Sequence, residues 1–255
     1  MNELKLSAQL YTLRDFTKTP TQFKETLYKI KNIGYKSFQY SGVGFSNPQF
    51  VRDCLDETGL VLSATHTSVD RLQSDLDNVI KEHKLWNCKY IGIGMMPPQY
   101  QKNEQTVMEF AKDFSQIGKI LKANDLTLIY HNHDFEFQKY NNRLIMDILI
   151  EESDNRYFDF EIDTYWVQSG GANPVDWIYK LNNRMEYIHF KDIGMSNRNQ
   201  IFKPIGQGNL NWNEIIKACR ETNIKWVAIE QDTCEGSPFD ALKISYNNLY
   251  NKYEF

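Results

Sequence analysis

Along the whole chain, short runs rich in β-branched and aromatic residues alternate with longer stretches of helical spacing. The short runs fall at 5–10, 36–40, 61–66, 90–94, 126–133, 158–164, 187–191 and 226–231 and predict eight strands. Between them, apolar residues recur at steps of three and four. The clearest stripe is Val107, Phe110, Ala111, Phe114, Ile117 and Leu121, and Phe239, Leu242, Tyr246 and Leu249 repeat it near the end. Asn173-Pro174, Asn211 and Ser237-Pro238 stand where three of these helices should open, supplying cap oxygens and, twice, a proline for the first turn.

Eight strand–helix units in 255 residues is the size expected of a single eight-fold (β/α) barrel, a TIM barrel, at roughly 32 residues per unit. A doubly wound open sheet shares the alternation and differs only in closure. No linker, low-complexity tract or long charge run divides the chain, so residues 1–255 are expected to form one domain.

Composition changes this picture little. A hydrophobic share of 41% supports a substantial core, and a net charge of −4 gives no electrostatic reason to expect a nucleic acid as partner. No apolar run approaches the ~18 residues that span a bilayer. The N-terminus shows no basic region leading into an apolar stretch, so a cytoplasmic protein is expected. Cys54, Cys88, Cys219 and Cys234 are scattered and form no CxxC pair, which reads as free buried thiols.

In a barrel the active site lies at the C-terminal ends of the strands, and that is where the polar residues gather. The third strand ends in Ser63-Ala64-Thr65-His66 and the fifth in Tyr130-His131-Asn132-His133, followed by Asp134-Phe135-Glu136. The sixth ends in Glu161-Ile162-Asp163-Thr164, the seventh in His189-Phe190-Lys191-Asp192, and the eighth in Glu230-Gln231-Asp232. Four of the five histidines stand at such ends; His83 lies in a predicted helix and reads as a packing residue. Alternation puts His131 with His133, Glu161 with Asp163, His189 with Lys191, and Glu230 with Asp232 on shared faces. Because Ile162 and Phe190 lie between them, the polar set should face the barrel mouth. Imidazoles and carboxylates converging there suit a divalent ion such as Mn²⁺, Co²⁺, Zn²⁺ or Mg²⁺. Glu161, the deepest of the set, also fits a buried carboxylate paired in the barrel floor. Gly206-Gln207-Gly208 lacks the third glycine of a dinucleotide fingerprint and reads as a loop near the substrate.

These segments resemble the sugar phosphate isomerase/epimerase family, the xylose isomerase-like barrels. The resemblance runs from the Gln9–Asp15 stretch, with Tyr11 and Arg14, through the fifth-strand histidines and Asp163-Thr164-Tyr165-Trp166 to His189-Phe190-Lys191-Asp192 and Glu230-Gln231-Asp232. It implies one divalent ion held by a Glu, Asp, His, Glu set from strands five to eight. Asp163, His189 and Glu230 match the last three positions. The first is a departure, since His131 stands where many members carry glutamate. Either His131 is a ligand, or Glu136 reaches back from the following loop, or the metal site is weakened.

The resemblance implies proton transfer next to the carbonyl of a small sugar, through an enediolate that the ion stabilises. Glu230 is the first candidate for base, with Glu136 or His133 opposite, and His66, Trp166, Lys191, Tyr11 and Arg14 are expected to bind the substrate. Isomerisation or epimerisation is the leading expectation. A lyase or dehydratase acting on a keto-sugar or keto-inositol is the nearest rival, because the same enediolate can expel a β-substituent. An apurinic-site endonuclease is disfavoured by the absence of a basic patch at the strand ends, and a sugar-binding barrel without catalysis is a further alternative. A homo-oligomer is compatible with the sequence.

Overall fold

The computed structural model of the chain describes residues 3–253 and 255. Eight parallel strands, Lys5–Gln9, Ser37–Tyr40, Val61–His66, Tyr90–Ile93, Thr127–His131, Phe158–Glu161, Tyr187–Phe190 and Trp226–Ile229, form one sheet. We call them the first to eighth strands. Consecutive strands pair from the first to the sixth, and the first also pairs with the eighth, in register Lys5 with Trp226 and Ala8 with Ile229. The eighth pairs in turn with the seventh. Only the sixth and seventh are not zipped together: they meet through a parallel bridge between Asp163 and His189, where the His189 amide donates to Ile162 at 2.9 Å. The result is a nearly closed barrel with helices around it, which excludes the open doubly wound alternative.

The helices form where the apolar stripes predicted them. Glu104–Lys122 buries Val107, Phe110, Ala111, Phe114 and Leu121 and starts at an Asn103–Thr106 capping box. Pro174–Lys180 is capped by the Asn173 side chain, which accepts from the Val175 amide, and Trp212–Glu221 by Asn211 in the same manner. Outward-facing strand residues such as Phe38, Leu128, Phe160 and Phe190 are fully buried against these helices.

Inside the barrel, Ala64, Tyr90, Ile129, Tyr187 and Ala228 make an apolar layer below the mouth. Beside it, Ser63 marks a shift of register between the second and third strands. Its hydroxyl meets both Ser7 and Tyr187 at 2.7 Å. The predicted strands overran their ends by a few residues. Asp163 and Lys191, for example, lie just past strands rather than in them. All four cysteines are free; three are buried, and Cys234 is half-buried. Among the described residues, no helix is long and apolar enough to cross a membrane.

Candidate active site

Four of the predicted side chains meet at the barrel mouth. Ligand atoms of His131, Asp163, His189 and Glu230 all lie within 4.8 Å of one another, and all four residues are buried. Each is placed by a different element. His131 ends the fifth strand, His189 lies within the seventh, and Glu230 follows the eighth. Asp163 is the cap of the short helix Thr164–Ser169: one carboxylate oxygen accepts from the Trp166 amide at 3.1 Å, which turns the other into the barrel.

That second oxygen and Nε2 of His131 are buried without a hydrogen-bond partner, although they face each other at 3.4 Å. The reason lies on the other side of the imidazole. Nδ1 of His131 is held by the Gly94 carbonyl at 3.2 Å, so it carries the hydrogen. Burial and the neighbouring His189 keep the pKa of His131 below its ordinary value, so Nε2 presents a lone pair to a carboxylate. Two lone-pair donors aimed at one point are stable when a cation lies between them. The donor set of two imidazoles and two carboxylates therefore fits a divalent metal ion.

His189 supports the same assignment. Its Nδ1 faces Glu230 at 2.9 Å, while Nε2 rests on Gln39 at 2.7 Å and Glu161 at 3.1 Å. A ligating histidine whose far nitrogen is held by a carboxylate is the usual way a protein fixes ring and tautomer. Burial works against charge on this imidazole, but Glu161 and Glu230 outweigh it and hold the pKa at about 10, so an ion taking Nδ1 would displace a proton held there. Glu161 itself is fully buried and takes hydrogen bonds from Gln39 at 2.8 Å and His66 at 2.7 Å. It is thus a paired carboxylate, level with His131 in the strand register and not in the barrel floor. The His66 ring needs the space left by Gly92, where a Cβ would come within 2.6 Å of it.

Residues 27–245 match the family described as the xylose isomerase-like TIM barrel. The chain belongs to that family. The inosose dehydratase of Clostridium beijerinckii is 23% identical over 207 residues, covering 74% of this chain and 64% of its own length. The chain therefore spans slightly less than two-thirds of that relative. Among solved structures, a sugar phosphate isomerase/epimerase from Parabacteroides distasonis superposes with a TM-score of 0.82 at 21% identity, covering 98% of both chains. The probable 3-DHS dehydratase involved in petrobactin synthesis in Bacillus anthracis gives 0.76 at 17% identity, with 98% of this chain and 100% of that chain covered. At such identities these likenesses show the fold.

Within this xylose isomerase-like barrel, a cavity of about 380 Å³ opens above the cluster. Tyr11, His66, His133, Lys191 and Glu230 line it, together with Asp232. Lys191 is buried, and its ammonium lies 2.8 Å from Asp232, 3.2 Å from Glu230 and 3.4 Å from Asp163. Burial disfavours its charge, but these three carboxylates raise its pKa well above the ordinary lysine value. They also hold it against the Trp166 ring, at 5.1 Å from the centroid. Trp166 stands behind Lys191 and does not line the cavity. Nor does Arg14, whose guanidinium donates to the backbone carbonyls of Tyr11 and Asp232 at 2.8 and 2.9 Å.

The structure does not bring Glu136 to the cluster. Tyr130 points outward from the fifth strand, and its hydroxyl donates to Glu136 at 2.5 Å, while the His133 amide donates to the other carboxylate oxygen at 2.8 Å. Glu136 is fully buried there, and that burial pushes its pKa up to about 7. It shapes the loop that carries His133. The His133 ring, tilted against Trp166, has its pKa lowered to about 3 by burial and by His131, and its Nδ1 is buried without a partner.

Several cavity residues escaped the sequence pattern. Ser41, Thr67, Ser68 and Met95 line the mouth, yet none carries a chemistry that stands out. The only signal was position, since each follows the end of the second, third or fourth strand within three residues.

Proposed function

We propose that the chain is a divalent-metal-dependent dehydratase of a small polyhydroxy ketone. In this reaction the proton next to the ketone is removed and the hydroxyl on the adjoining carbon is expelled as water. The carrying observation is the commitment of His131. With Nδ1 on Gly94 and Nε2 turned to Asp163, it is not free to act as a second acid or base, and Glu136 lies outside the cluster. Epimerisation needs proton-transfer groups on two faces of the substrate carbon. Among the cavity groups, Glu230 and Lys191 stand together, 3.2 Å apart on one wall.

Such a pair suits elimination. Glu230 takes the α-proton; Lys191 hydrogen-bonds the departing hydroxyl and gives it a proton, since hydroxide is a stronger base than any lysine amine. The proton on Glu230 then returns across the 3.2 Å contact to Lys191, restoring both groups. An ion held by His131, Asp163, His189 and Glu230 would supply Lewis-acid stabilisation of the negative charge that forms on the ketone oxygen. Hydroxyls of Tyr11, Ser41 and Ser68 line the cavity where substrate hydroxyls would bind. The name of the curated relative, a dehydratase of inosose, supports the same reading.

Epimerisation is the second reading, favoured by His133, whose unpartnered Nδ1 belongs to a ring on the cavity wall. The two separate on products. Metal-loaded protein incubated in D₂O with keto-inositols and with 2- and 3-keto sugars should release water and form an enone or dione, and removal of metal by chelation should abolish it. An epimer carrying one solvent deuterium, with no loss of water, would replace the dehydratase reading with the epimerase one.

A further inference from the structure

We propose that this cavity takes an uncharged polyol ketone and rejects substrates bearing a phosphate group, because its one cationic side chain and the glycine loop after the seventh strand are both already held by carboxylates of the chain. The inference rests on the reading of the cavity as a polyol-ketone site and names the charge of the substrate it accepts.

Charge on the wall comes first. Among the described residues lining the cavity, Lys191 is the only lysine or arginine. It stands against three carboxylates, those of Asp232, Glu230 and Asp163. A divalent ion in the cluster would bring this group to neutrality, three negative charges against one plus two, and leave no surplus positive charge for a dianion. Arg14 is the nearest other candidate, but its guanidinium is bonded to two backbone carbonyls.

The loop after the seventh strand offers no alternative. Barrels of this class often bind phosphate on amide groups of the loops after the seventh and eighth strands. Here the glycine-bearing loop after the seventh strand, Gly206-Gln207-Gly208, turns its amides onto Asp192. One oxygen of that carboxylate accepts from Gly206 at 2.8 Å, from Gly208 at 3.0 Å and from Trp212 Nε1 at 2.8 Å. The other accepts from Ile193 at 2.9 Å and Leu210 at 3.3 Å. Alternation explains the direction: His189 and Lys191 face the mouth, so Asp192 faces outward, and the loop follows it. The nest of donors that could hold a phosphate is filled by an internal anion. What the cavity does present is hydroxyls (Tyr11, Ser41, Thr67, Ser68) and the apolar surfaces of Val69 and Met95, a lining for hydroxyl groups and C–H faces.

The test is calorimetric titration of metal-loaded protein with D-fructose, a keto-inositol and D-fructose 6-phosphate. The expected result is saturable binding of at least one neutral ketone and none of the phosphate ester. Saturable binding of the ester overturns the inference whatever the neutral ketones do. Silence from all three compounds overturns it together with the polyol-ketone reading on which it rests.

Discussion

At the scale of the residue, the proposed chemistry turns on the fifth strand. One position, His131, places an imidazole in the cluster. Its two nitrogens are then fixed by a backbone carbonyl on one side and by Asp163 on the other. Five residues on, Glu136 shows how far a carboxylate can be drawn from a site by one outward-pointing tyrosine. Its burial has a consequence for stability. The folded-state pKa of about 7 lies above the ordinary 4.5, so the folded protein holds this proton more tightly than the unfolded chain. The contribution is therefore fully present below pH 4.5 and is lost as pH rises through about 7. Glu136→Gln removes that dependence. Urea midpoints between pH 4.5 and 7.5 should fall for the wild type relative to the variant, and parallel curves would show that Glu136 ionises normally in the fold.

At the scale of the element, the loop after the seventh strand is held by one buried side chain. Asp192→Ala leaves four amides and the Trp212 indole without their acceptor, a loss on the order of 3 kcal/mol. Chemical denaturation should show it, and hydrogen exchange should place the loosening at Gly206 and Gly208; an unchanged midpoint would mean that water replaces the carboxylate at no cost. This element also shows what the sequence made legible. The strands, the helices with their caps, and the inward set of Asp163, His189, Lys191 and Glu230 could all be read, because period-two alternation leaves a strong trace. The role of Asp192 could not, since five donors from a stretch of some twenty residues converge on it only after the hairpin of Asp192–Ser196 and Asn199–Lys203 has folded. Gln39 was hidden for a similar reason: its partners, Glu161 and His189, come from strands far from it in the chain.

At the scale of the whole molecule, the candidate metal ligands straddle the one joint of the barrel that is not a continuous strand ladder. His131 and Asp163 lie on one side of the gap between the sixth and seventh strands, His189 and Glu230 on the other, and it is spanned by one β-bridge with the Phe160–Arg184 and Thr164–Lys191 hydrogen bonds beside it. An ion bound by all four would clamp that gap. Metal at a hundredfold excess over Kd should stabilise the fold by about 2.7 kcal/mol. It should also slow exchange of the His189 amide more than that of amides in the first four strands. A uniform effect on all strands, or no rise in Tm with added Mn²⁺, Co²⁺ or Zn²⁺, would show that the cluster does not clamp the gap.

The same joint has a meaning in time. A chain made from its N-terminus completes its first six strands before the seventh exists, and the first strand must wait for Trp226–Ile229 before its second edge is covered. The candidate ligand set is finished only when Glu230 emerges, so a growing chain would lack the full set of donors for an ion until then. Filling such a site and closing the barrel would be a single late event in the birth of the protein.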